Sequence, residues 1–199
     1  IALVPSCYAN TPSRGRVIGY NGVDDLCEHF SIDKTQLRYK GVFLLDAILA
    51  LCVTKILYDE LDYDSLNNFV VDPHKQEECY DSKGRLWVDD SKATNYDAAI
   101  EAIKVYGNKP LYLIVGGDDK GADFSPFFDF MKHYDIHIFA IGSNSERIAT
   151  YCETFALPCH ICYDLEKAVR SIDLLFNEGV GLLAPACASL DQFSGYKER

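Results

Sequence analysis

From about residue 77 onward, short apolar runs alternate with longer segments of helical periodicity. Strand–helix–strand repetition requires crossover connections, which make the strands parallel and place helices on both faces of the sheet. Before this pattern, Glu77–Asp81 and Arg85–Asp89 flank Ser82-Lys83-Gly84, which indicates a hairpin and an antiparallel edge strand. The sequence therefore predicts a Rossmann-like, doubly wound α/β fold with a mostly parallel sheet and an antiparallel N-terminal hairpin. The later predicted strands are Leu111–Val115, Ile136–Ile141, His160–Tyr163 and Gly181–Ala184, and the predicted helices span about 95–106, 125–134, 144–155 and 164–176.

The first 72 residues lack this alternation and are predicted to be irregular α+β structure. Ile1–Pro5 and Arg16–Tyr20 are predicted strands, and Gly41–Tyr58 is a predicted helix, followed by the polar stretch Asp59–Asn68. We place a domain boundary near Asp72–Pro73, which gives domains 1–72 and 73–199. The chain starts at Ile1 and has a single methionine, Met131, so we expect it to be part of a longer protein.

Net charge limits the partners of the chain. It carries 19 Lys and Arg against 30 Asp and Glu, a formal charge of −11, and has no basic cluster. This argues against a general nucleic-acid binder and against binding to anionic membranes. An anionic small ligand remains compatible, since a few lysines and backbone amides can hold phosphate within an acidic protein.

The eight cysteines are scattered along the chain, and only Cys159 and Cys162 form a Cys-x-x-Cys pair. That pair lies in a predicted strand, where residues three apart point to opposite faces. A structural zinc site needs a second pair, so we predict no metal site and reduced thiols in a cytoplasmic protein.

The longest apolar run, Val42–Leu57, contains Asp46 and Lys55 and is shorter than a membrane span. We expect its apolar faces to be buried in the first domain, covered by strands that are absent from this chain. The alternative is an exposed surface through which the chain self-associates.

Three loops that follow predicted strands contain unusual residues. In an open parallel sheet, ligands bind in the crevice outside the carboxyl ends of the strands. The first loop, Asp89-Asp90-Ser91-Lys92-Ala93-Thr94-Asn95, provides Lys92 beside a helix start and Asp90 as an acceptor for hydroxyl groups. The alternative is a solvated lysine and a helix cap, supplied by Thr94 or Asn95.

The second loop, Val115-Gly116-Gly117-Asp118-Asp119-Lys120-Gly121-Ala122-Asp123, combines three glycines with Lys120 and precedes a helix capped at Ser125-Pro126. Glycines allow the backbone to approach a ligand closely, although a solvated turn has a similar composition. The spacing of a phosphate-binding P-loop is absent.

The third loop, Ala184-Pro185-Ala186-Cys187-Ala188-Ser189-Leu190-Asp191-Gln192-Phe193, has small residues that leave its amides accessible, and the hydroxyl of Ser189. Cys187 has no evident activating histidine and is interpreted as a buried thiol. We expect the three loops to meet on one edge of the sheet.

These three motifs resemble the carboxy-terminal motifs of the Mur ligase family, specifically of its D-glutamate-adding member. The resemblance is close from about residue 73 and weak before it. It implies an ATP-dependent amide ligase of peptidoglycan synthesis, acting in the cytoplasm as a monomer. The family enzyme phosphorylates the carboxylate of UDP-N-acetylmuramoyl-L-alanine, and the amine of D-glutamate attacks the acyl phosphate.

The resemblance also implies roles for individual residues. Lys92 and Lys120 are the implied catalytic residues. The residues implied to hold D-glutamate are Thr94, Lys120, Ser189, Leu190 and Tyr196, and those implied to contact ATP are Asp46, Lys75, Asp90 and Lys92.

The chain departs from the family pattern in several places. Lys75 stands where the family usually has arginine, and only Asp46 could replace an asparagine that touches adenine. The phosphate loop, the magnesium ligands and the uridine-binding domain are missing. We therefore expect the chain to comprise the end of the central ATP-binding domain and most of the carboxy-terminal domain, with ATP and Mg²⁺ bound mainly by other parts. Alone, it is expected to be inactive.

Two alternatives remain open at the level of sequence. One is another member of the superfamily, such as a folylpolyglutamate-type ligase. The other is a non-catalytic dinucleotide-binding domain, although no Gly-x-Gly-x-x-Gly follows any predicted strand.

Overall fold

Eight strands and seven α-helices occur within residues 1–10 and 12–199, which the computed structural model describes. The strands are β1 (Ala2–Pro5), β2 (Val17–Tyr20), β3 (Glu77–Tyr80), β4 (Leu86–Asp89), β5 (Leu111–Gly116), β6 (Ile136–Ile141), β7 (Cys159–Tyr163) and β8 (Val180–Leu183). The helices are α1 (Val23–Phe30), α2 (Gly41–Tyr58), α3 (Tyr63–Asn68), α4 (Tyr96–Tyr106), α5 (Ser125–Met131), α6 (Ser145–Phe155) and α7 (Leu165–Leu175). The chain divides into unit 1, Ile1–Val70, and unit 2, Val71–Arg199.

Unit 1 contains a two-stranded parallel sheet, β1 and β2, and the helices α1 to α3. Its core is formed by Leu26, Ile32, Leu37, Ala47, Ile48, Leu51 and Cys52. Helices α1 and α3 were not predicted. Each has acidic residues near its start, where they favour the helix dipole, and Asp62 caps α3 by accepting the N–H of Ser65 at 2.9 Å.

Helix α2 has the bounds predicted from the sequence. Only Ala47, Ile48, Leu51 and Cys52 are buried along its 18 residues, and Leu57 is 64% exposed. Among the described residues, α2 is the one helix whose length and composition would suffice to cross a membrane, a test that core helices of soluble proteins also pass. The expectation that this run is too short to span a bilayer is therefore not supported by its length.

Unit 2 is built on a six-stranded sheet of order β3-β4-β8-β5-β6-β7. Strands β3 and β4 form the predicted antiparallel hairpin, and all later pairings are parallel. Strand β8 is the last in sequence, yet it lies between β4 and β5. The doubly wound, mostly parallel α/β fold is thus confirmed.

Helices cover both faces of this sheet, and each face has its own core. Helices α4, α5 and α6 pack on one face, around Phe127, Phe128 and Met131, which are completely buried. Helix α7 covers the other face, where Ile172 packs near Phe139. The side chains of Cys159 and Cys162 belong to different cores, as expected for residues three apart in a strand.

Most predicted element bounds differ from the structure by one or two residues, with one clear exception. Helix α5 ends at Met131 rather than near residue 134, and Ser125 is its first helical residue rather than its cap. The N-cap residue is Phe124, and the carboxylate of the preceding Asp123 accepts the N–H of Ser125 at 2.9 Å and the Ser125 hydroxyl at 2.7 Å.

Candidate functional site

The three loops singled out in the sequence follow β4, β5 and β8. These strands are parallel neighbours, so their carboxyl ends lie at the same edge of the sheet. We call residues 90–95 the β4 loop, 117–124 the β5 loop and 184–193 the β8 loop, and the edge that they form the rim. The β8 loop lies in the middle and contacts both others.

Backbone hydrogen bonds join the β4 and β8 loops. The N–H of Asp90 donates to the carbonyl of Leu183 at 2.8 Å, and the N–H of Ala186 donates to that of Ala93 at 2.9 Å. Within the β4 loop, Lys92 and Thr94 are exposed, and Asn95 caps α4 by accepting the N–H of Ala98 at 2.9 Å. The side chains of Lys92 and Thr94 are therefore accessible to a ligand.

The β5 and β8 loops form a short antiparallel bridge between Asp118 and Ala188. Their two reciprocal N–H to carbonyl hydrogen bonds measure 2.9 and 3.0 Å. Gly117 has φ 140°, and a Cβ there would lie 2.2 Å from the carbonyl oxygen of Ala188. A side chain at this position is excluded, which explains one of the glycines noted in the sequence.

Lys120 lies in the β5 loop with its side chain exposed. Its backbone has φ 51°, and its N–H donates to Oδ1 of Asp118 at 3.0 Å. The loop therefore presents a solvent-accessible ammonium group next to the bridge with the β8 loop.

The residues of the β8 loop differ greatly in exposure. Ser189 is 3% exposed, whereas Leu190 is 67% exposed. Cys187 is 1% exposed, and burial raises the pKa of its thiol to about 12. Because the thiolate is the nucleophile, this pKa supports a structural role for Cys187.

Tyr196 lies beside the β4 loop. The ammonium Nζ of Lys92 is 4.3 Å from the centre of the Tyr196 ring, a cation–π contact. The hydroxyl of Ser91 donates to the carbonyl of Tyr196 at 2.9 Å. The structure thus brings together Lys92 and Tyr196, which the sequence analysis assigned to different ligands.

Asp90 is 6% exposed, and burial raises the pKa of its carboxyl to about 6. The neighbouring carboxylate of Asp89 acts in the same direction, whereas a hydrogen bond from the backbone N–H of Gln76 opposes both.

The two other residues expected to contact ATP do not belong to the loops that form the rim. Asp46 belongs to unit 1, where its side chain is exposed on α2. Lys75 is half-buried in unit 2 and forms an ion pair with Asp72, with Nζ and Oδ2 3.2 Å apart.

Arg199 was not predicted from the sequence and is 7% exposed. Its Nε donates to the hydroxyl of Ser91 at 3.0 Å, and its Nη2 donates to the carbonyls of Ser91 and Cys187 at 2.9 and 3.1 Å. The guanidinium group of Arg199 thereby connects the β4 loop to the β8 loop. Nothing in the sequence signals this, because a terminal arginine among polar residues is normally solvated.

His74 was also missed. Its Nδ1 lies 2.7 Å from Oδ2 of Asp89, and its carbonyl accepts the N–H of Lys92 at 3.0 Å. His74, Glu77 and Asp89 are the one group in the described part of the chain whose ligand atoms lie close enough to hold a metal ion. The donor set contains a histidine already hydrogen-bonded to one carboxylate, so it does not fit Mg²⁺, which prefers octahedral oxygen ligands.

A fourth loop, residues 142–144 after β6, joins the rim and is called the β6 loop. The hydroxyl of Ser143 donates to the carbonyl of Gly117 at 3.1 Å, and its N–H donates to Oδ2 of Asp191 at 2.7 Å. The side chain of Asn144 contacts the β5 and β8 loops. The sequence analysis interpreted this stretch only as the start of a helix.

Comparison with known proteins identifies what the chain resembles. No protein-family model matches it. The UDP-N-acetylmuramoylalanine--D-glutamate ligase of Campylobacter jejuni strain RM1221 is 49% identical over 201 residues, which cover 100% of this chain and 50% of the relative. The ligase of the same name from Helicobacter pylori strain ATCC 700392 / 26695 is 40% identical over 214 residues, with coverages of 100% and 51%.

The chain is similar to the C-terminal half of MurD ligases. This confirms the resemblance seen in the motifs. The similarity to MurD extends over residues 1–72 as well, where the motifs gave little support. The chain spans about half the length of these MurD relatives.

Solved structures support the fold. MurF from Acinetobacter baumannii has a TM-score of 0.60 at 14% identity, covering 75% of this chain and 36% of that protein. The UDP-N-acetylmuramate-alanine ligase MurC from Thermotoga maritima has a TM-score of 0.56 at 15% identity, with coverages of 75% and 36%. A folylpolyglutamate synthase from Thermotoga maritima has a TM-score of 0.53 at 13% identity, so the fold alone does not separate these ligases.

Proposed function

We propose that this chain is the C-terminal part of an ATP-dependent ligase that joins D-glutamate to UDP-N-acetylmuramoyl-L-alanine. One observation carries the proposal: Lys92 and Lys120 are exposed on loops that meet at one rim, in a chain 40–49% identical to ligases named for this reaction. We assign residues 1–72 to the end of the central ATP-binding domain and residues 73–199 to the amino-acid-binding domain.

The reaction has two steps. The alanyl carboxylate attacks the terminal phosphorus of ATP, which forms an acyl phosphate and releases ADP. The amine of D-glutamate then attacks the acyl carbon, loses a proton, and the tetrahedral intermediate expels phosphate to leave the amide. Negative charge concentrates on the phosphate and on the intermediate, so preorganised cations lower the barrier. Mg²⁺ would shield the phosphates of ATP, and we assign its ligands to parts of the ligase outside this chain.

Lys92 fits the role of a cation at the reacting centre. Its Nζ contacts the Tyr196 ring, and its backbone N–H donates to the carbonyl of His74. Both the side chain and the backbone of Lys92 are therefore held by neighbouring residues. Asp90 fits the role of acceptor for the ribose hydroxyls of ATP, with the carboxylate form favoured above about pH 6. Asp46 and Lys75 are proposed as further nucleotide contacts.

The carboxylates of D-glutamate need cationic and hydroxyl donors. We assign this binding to Lys120, the hydroxyls of Thr94 and Ser189, and the backbone of Leu190, with Tyr196 beside the substrate. Lys120 and Thr94 are exposed, whereas Ser189 is buried in the β8 loop, at 3% exposure.

We infer that the ligase acts as a cytoplasmic monomer without nucleic-acid or membrane partners. The eight cysteines of this chain are free thiols, and the net charge of −11 on residues 1–199 disfavours binding to polyanions.

The first experiment measures phosphate release by the full-length ligase with ATP and UDP-N-acetylmuramoyl-L-alanine. Turnover should require D-glutamate, and L-glutamate or L-alanine should not replace it. Dependence on L-glutamate would instead favour a folylpolyglutamate-type ligase. The chain 1–199 alone should show no D-glutamate-dependent ATP turnover, because the residues expected to grip the triphosphate are not part of it.

The second experiment tests the two lysines. Lys92→Ala and Lys120→Ala in the full-length ligase should each lower activity about 10²-fold or more, because each removes a cation from the developing charge. Lys109→Ala is the matched control, since Lys109 is exposed at the opposite end of β5. Near-wild-type kinetics for both rim variants would contradict the site assignment.

A further inference from the structure

The side chain of Asn144 contacts two loops of the rim at once. Its Oδ1 accepts the N–H of Gly117 at 3.0 Å. Its Nδ2 donates to Oδ2 of Asp119 at 3.1 Å and lies 3.4 Å from Sγ of Cys187. One amide group thus connects the β6 loop to both the β5 and the β8 loops.

The orientation of this amide is fixed by its neighbours. A donor must face the carboxylate of Asp119, and an acceptor must face the N–H of Gly117. A flipped amide would oppose oxygen to oxygen and N–H to N–H. Asparagine therefore meets a demand at this position that neither aspartate nor a smaller residue meets.

Between Gly117 and Lys120, the β5 loop is held at Asp118 by the backbone bridge to Ala188 and at Asp119 by side chains of the β6 loop and α6. Gly117 and Asp119 are both held by Asn144, and Arg147 holds Asp119 from the other side, with Nη1 2.7 Å from Oδ2. Lys120 directly follows Asp119 in the left-handed backbone region, at φ 51°. The N–H of Lys120 also donates to Oδ1 of Asp118, so the residues that fix Asp119 and the bridge that fixes Asp118 together determine where Lys120 lies.

We propose that Asn144 is a positioning residue that holds the β5 loop so that Lys120 faces D-glutamate. The inference rests on the proposed function, since it takes D-glutamate as the ligand of Lys120. It predicts that changes at Asn144 act on D-glutamate binding, while ATP binding at the β4 loop is left intact.

Asn144→Asp is the most informative variant, because it keeps the shape of the side chain and replaces the donor Nδ2 with an acceptor oxygen. Two carboxylates would then face each other at the present distance between Nδ2 and Oδ2, 3.1 Å. The other charged or titratable groups here are Arg147, which is already bound to Asp119, the Cys187 thiol, Asp191 on the β8 loop, and Arg199, which is bound to the backbone carbonyls of Ser91 and Cys187. Arg147 is thus the cation in direct contact with Asp119. One cation cannot neutralise both carboxylates, so the pair should share a proton at low pH and repel at high pH.

The measurement is the KM for D-glutamate in the full-length ligase, taken as a ratio of variant to wild type across pH. For Asn144→Asp this ratio should rise about tenfold between about pH 6 and pH 8.5, with the KM for ATP unchanged. For Asn144→Ala the ratio should be raised at all pH values. Asn108→Asp, an exposed position at the other end of β5, adds the same charge and should give a ratio near one.

A second measurement uses the chain 1–199 and needs no activity. In Asn144→Ala, amide hydrogen exchange at Gly117 and in residues 118–121 should be faster than in wild type, while exchange in β5 is unchanged. Asn108→Ala should leave both rates unchanged.

Three outcomes would overturn the inference. They are an unaltered KM for D-glutamate in Asn144→Asp, equal changes in the KM for ATP and for D-glutamate, and global unfolding of all Asn144 variants. Absence of D-glutamate dependence in the wild-type ligase would instead defeat the proposed function, and hydrogen exchange would then decide whether Asn144 holds the loop.

Discussion

At the scale of single residues, Asp90 combines burial with a chemical task. A carboxyl group that is 6% exposed loses most of its hydration, which disfavours the charged form. Its pKa is therefore raised to about 6, above the ordinary value of an aspartate. The proposed ribose contact uses the ionised form. The free energy of unfolding is therefore lowered at the pH at which the carboxylate is available to bind.

The raised pKa of Asp90 predicts that the difference in unfolding free energy between wild type and Asp90→Asn depends on pH. Because the folded-state pKa is raised, the contribution of Asp90 is most favourable below about pH 4 and is lost as pH rises through about 6. The asparagine side chain of Asp90→Asn does not ionise, so the variant does not lose this stability as the pH rises. Relative to the variant, wild type should lose about 2 kcal/mol between about pH 4 and pH 7.

Urea unfolding of both proteins at several pH values measures this difference. The other carboxyl groups titrate in both proteins, so their contributions cancel in the difference between the two unfolding free energies. A gap that does not change with pH would contradict the burial of a titrating Asp90.

Sequence reasoning identified residues with a chemical signature and missed those with a supporting role. Lys92 and Lys120 were singled out because each lies in a loop after a strand and because both loops resemble family motifs, since composition alone is also compatible with a solvated turn. Asn144 and Arg199 do not stand out, because asparagine is common in turns and arginine is common on surfaces. Their roles depend on loops that only the folded sheet brings together, so no local pattern encodes them.

At the scale of elements, the β5 loop depends on backbone that approaches other backbone closely. A Cβ at Gly117 would lie 2.2 Å from the carbonyl oxygen of Ala188, and one at Gly121 would meet no atom within 4 Å. Both glycines have positive φ, 140° and 76°, so an alanine is strained at either position. Only at Gly117 does a steric clash add to this strain.

We therefore expect Gly117→Ala to destabilise the protein far more than Gly121→Ala. Gly121→Ala should cost about 1 kcal/mol, the strain of a left-handed alanine. Gly117→Ala should cost about 3 kcal/mol or more, because the clash also separates the hydrogen-bonded pair Asp118 and Ala188. Thermal or urea unfolding of the two variants compares these costs. Equal losses would show that the close approach of the two loops is not required.

The elements of unit 2 were easier to predict than those of unit 1. Strands β5 and β6 are uninterrupted apolar runs between clear turn signals, and the pattern indicates them directly. Helix α1 was missed because its sequence, Val23–Phe30, mixes acidic and apolar residues without a recognisable cap at Gly22. The position of β8 in the sheet was also not predictable, since it depends on which strands pair over long distances in the chain.

At the scale of the whole molecule, the two units have separate cores. The two clusters of unit 2 begin at Leu86 and Trp87, and the cluster of unit 1 ends at Leu66. We expect residues 71–199 to fold alone and to unfold in a single cooperative transition.

Residues 1–70 should behave differently when expressed alone. Their core has seven buried hydrophobic residues, whereas Ile1 and the α2 residues Val53 and Leu57 remain exposed. We expect this fragment to associate, and size-exclusion chromatography with calorimetry on both fragments measures the contrast. A monomeric 1–70 or an unfolded 71–199 would contradict this division.

The insertion of β8 between β4 and β5 has a consequence for biosynthesis. A ribosome-bound chain that ends before Val180 exposes two unpaired strand edges in the middle of the nascent sheet, and Leu182 cannot yet fill the gap between Val88 and Leu113. Closure of the sheet and assembly of the rim must then wait for the same late segment. Premature termination in this stretch yields a product whose sheet and rim are incomplete, and such a product is an early target for chaperones and proteases.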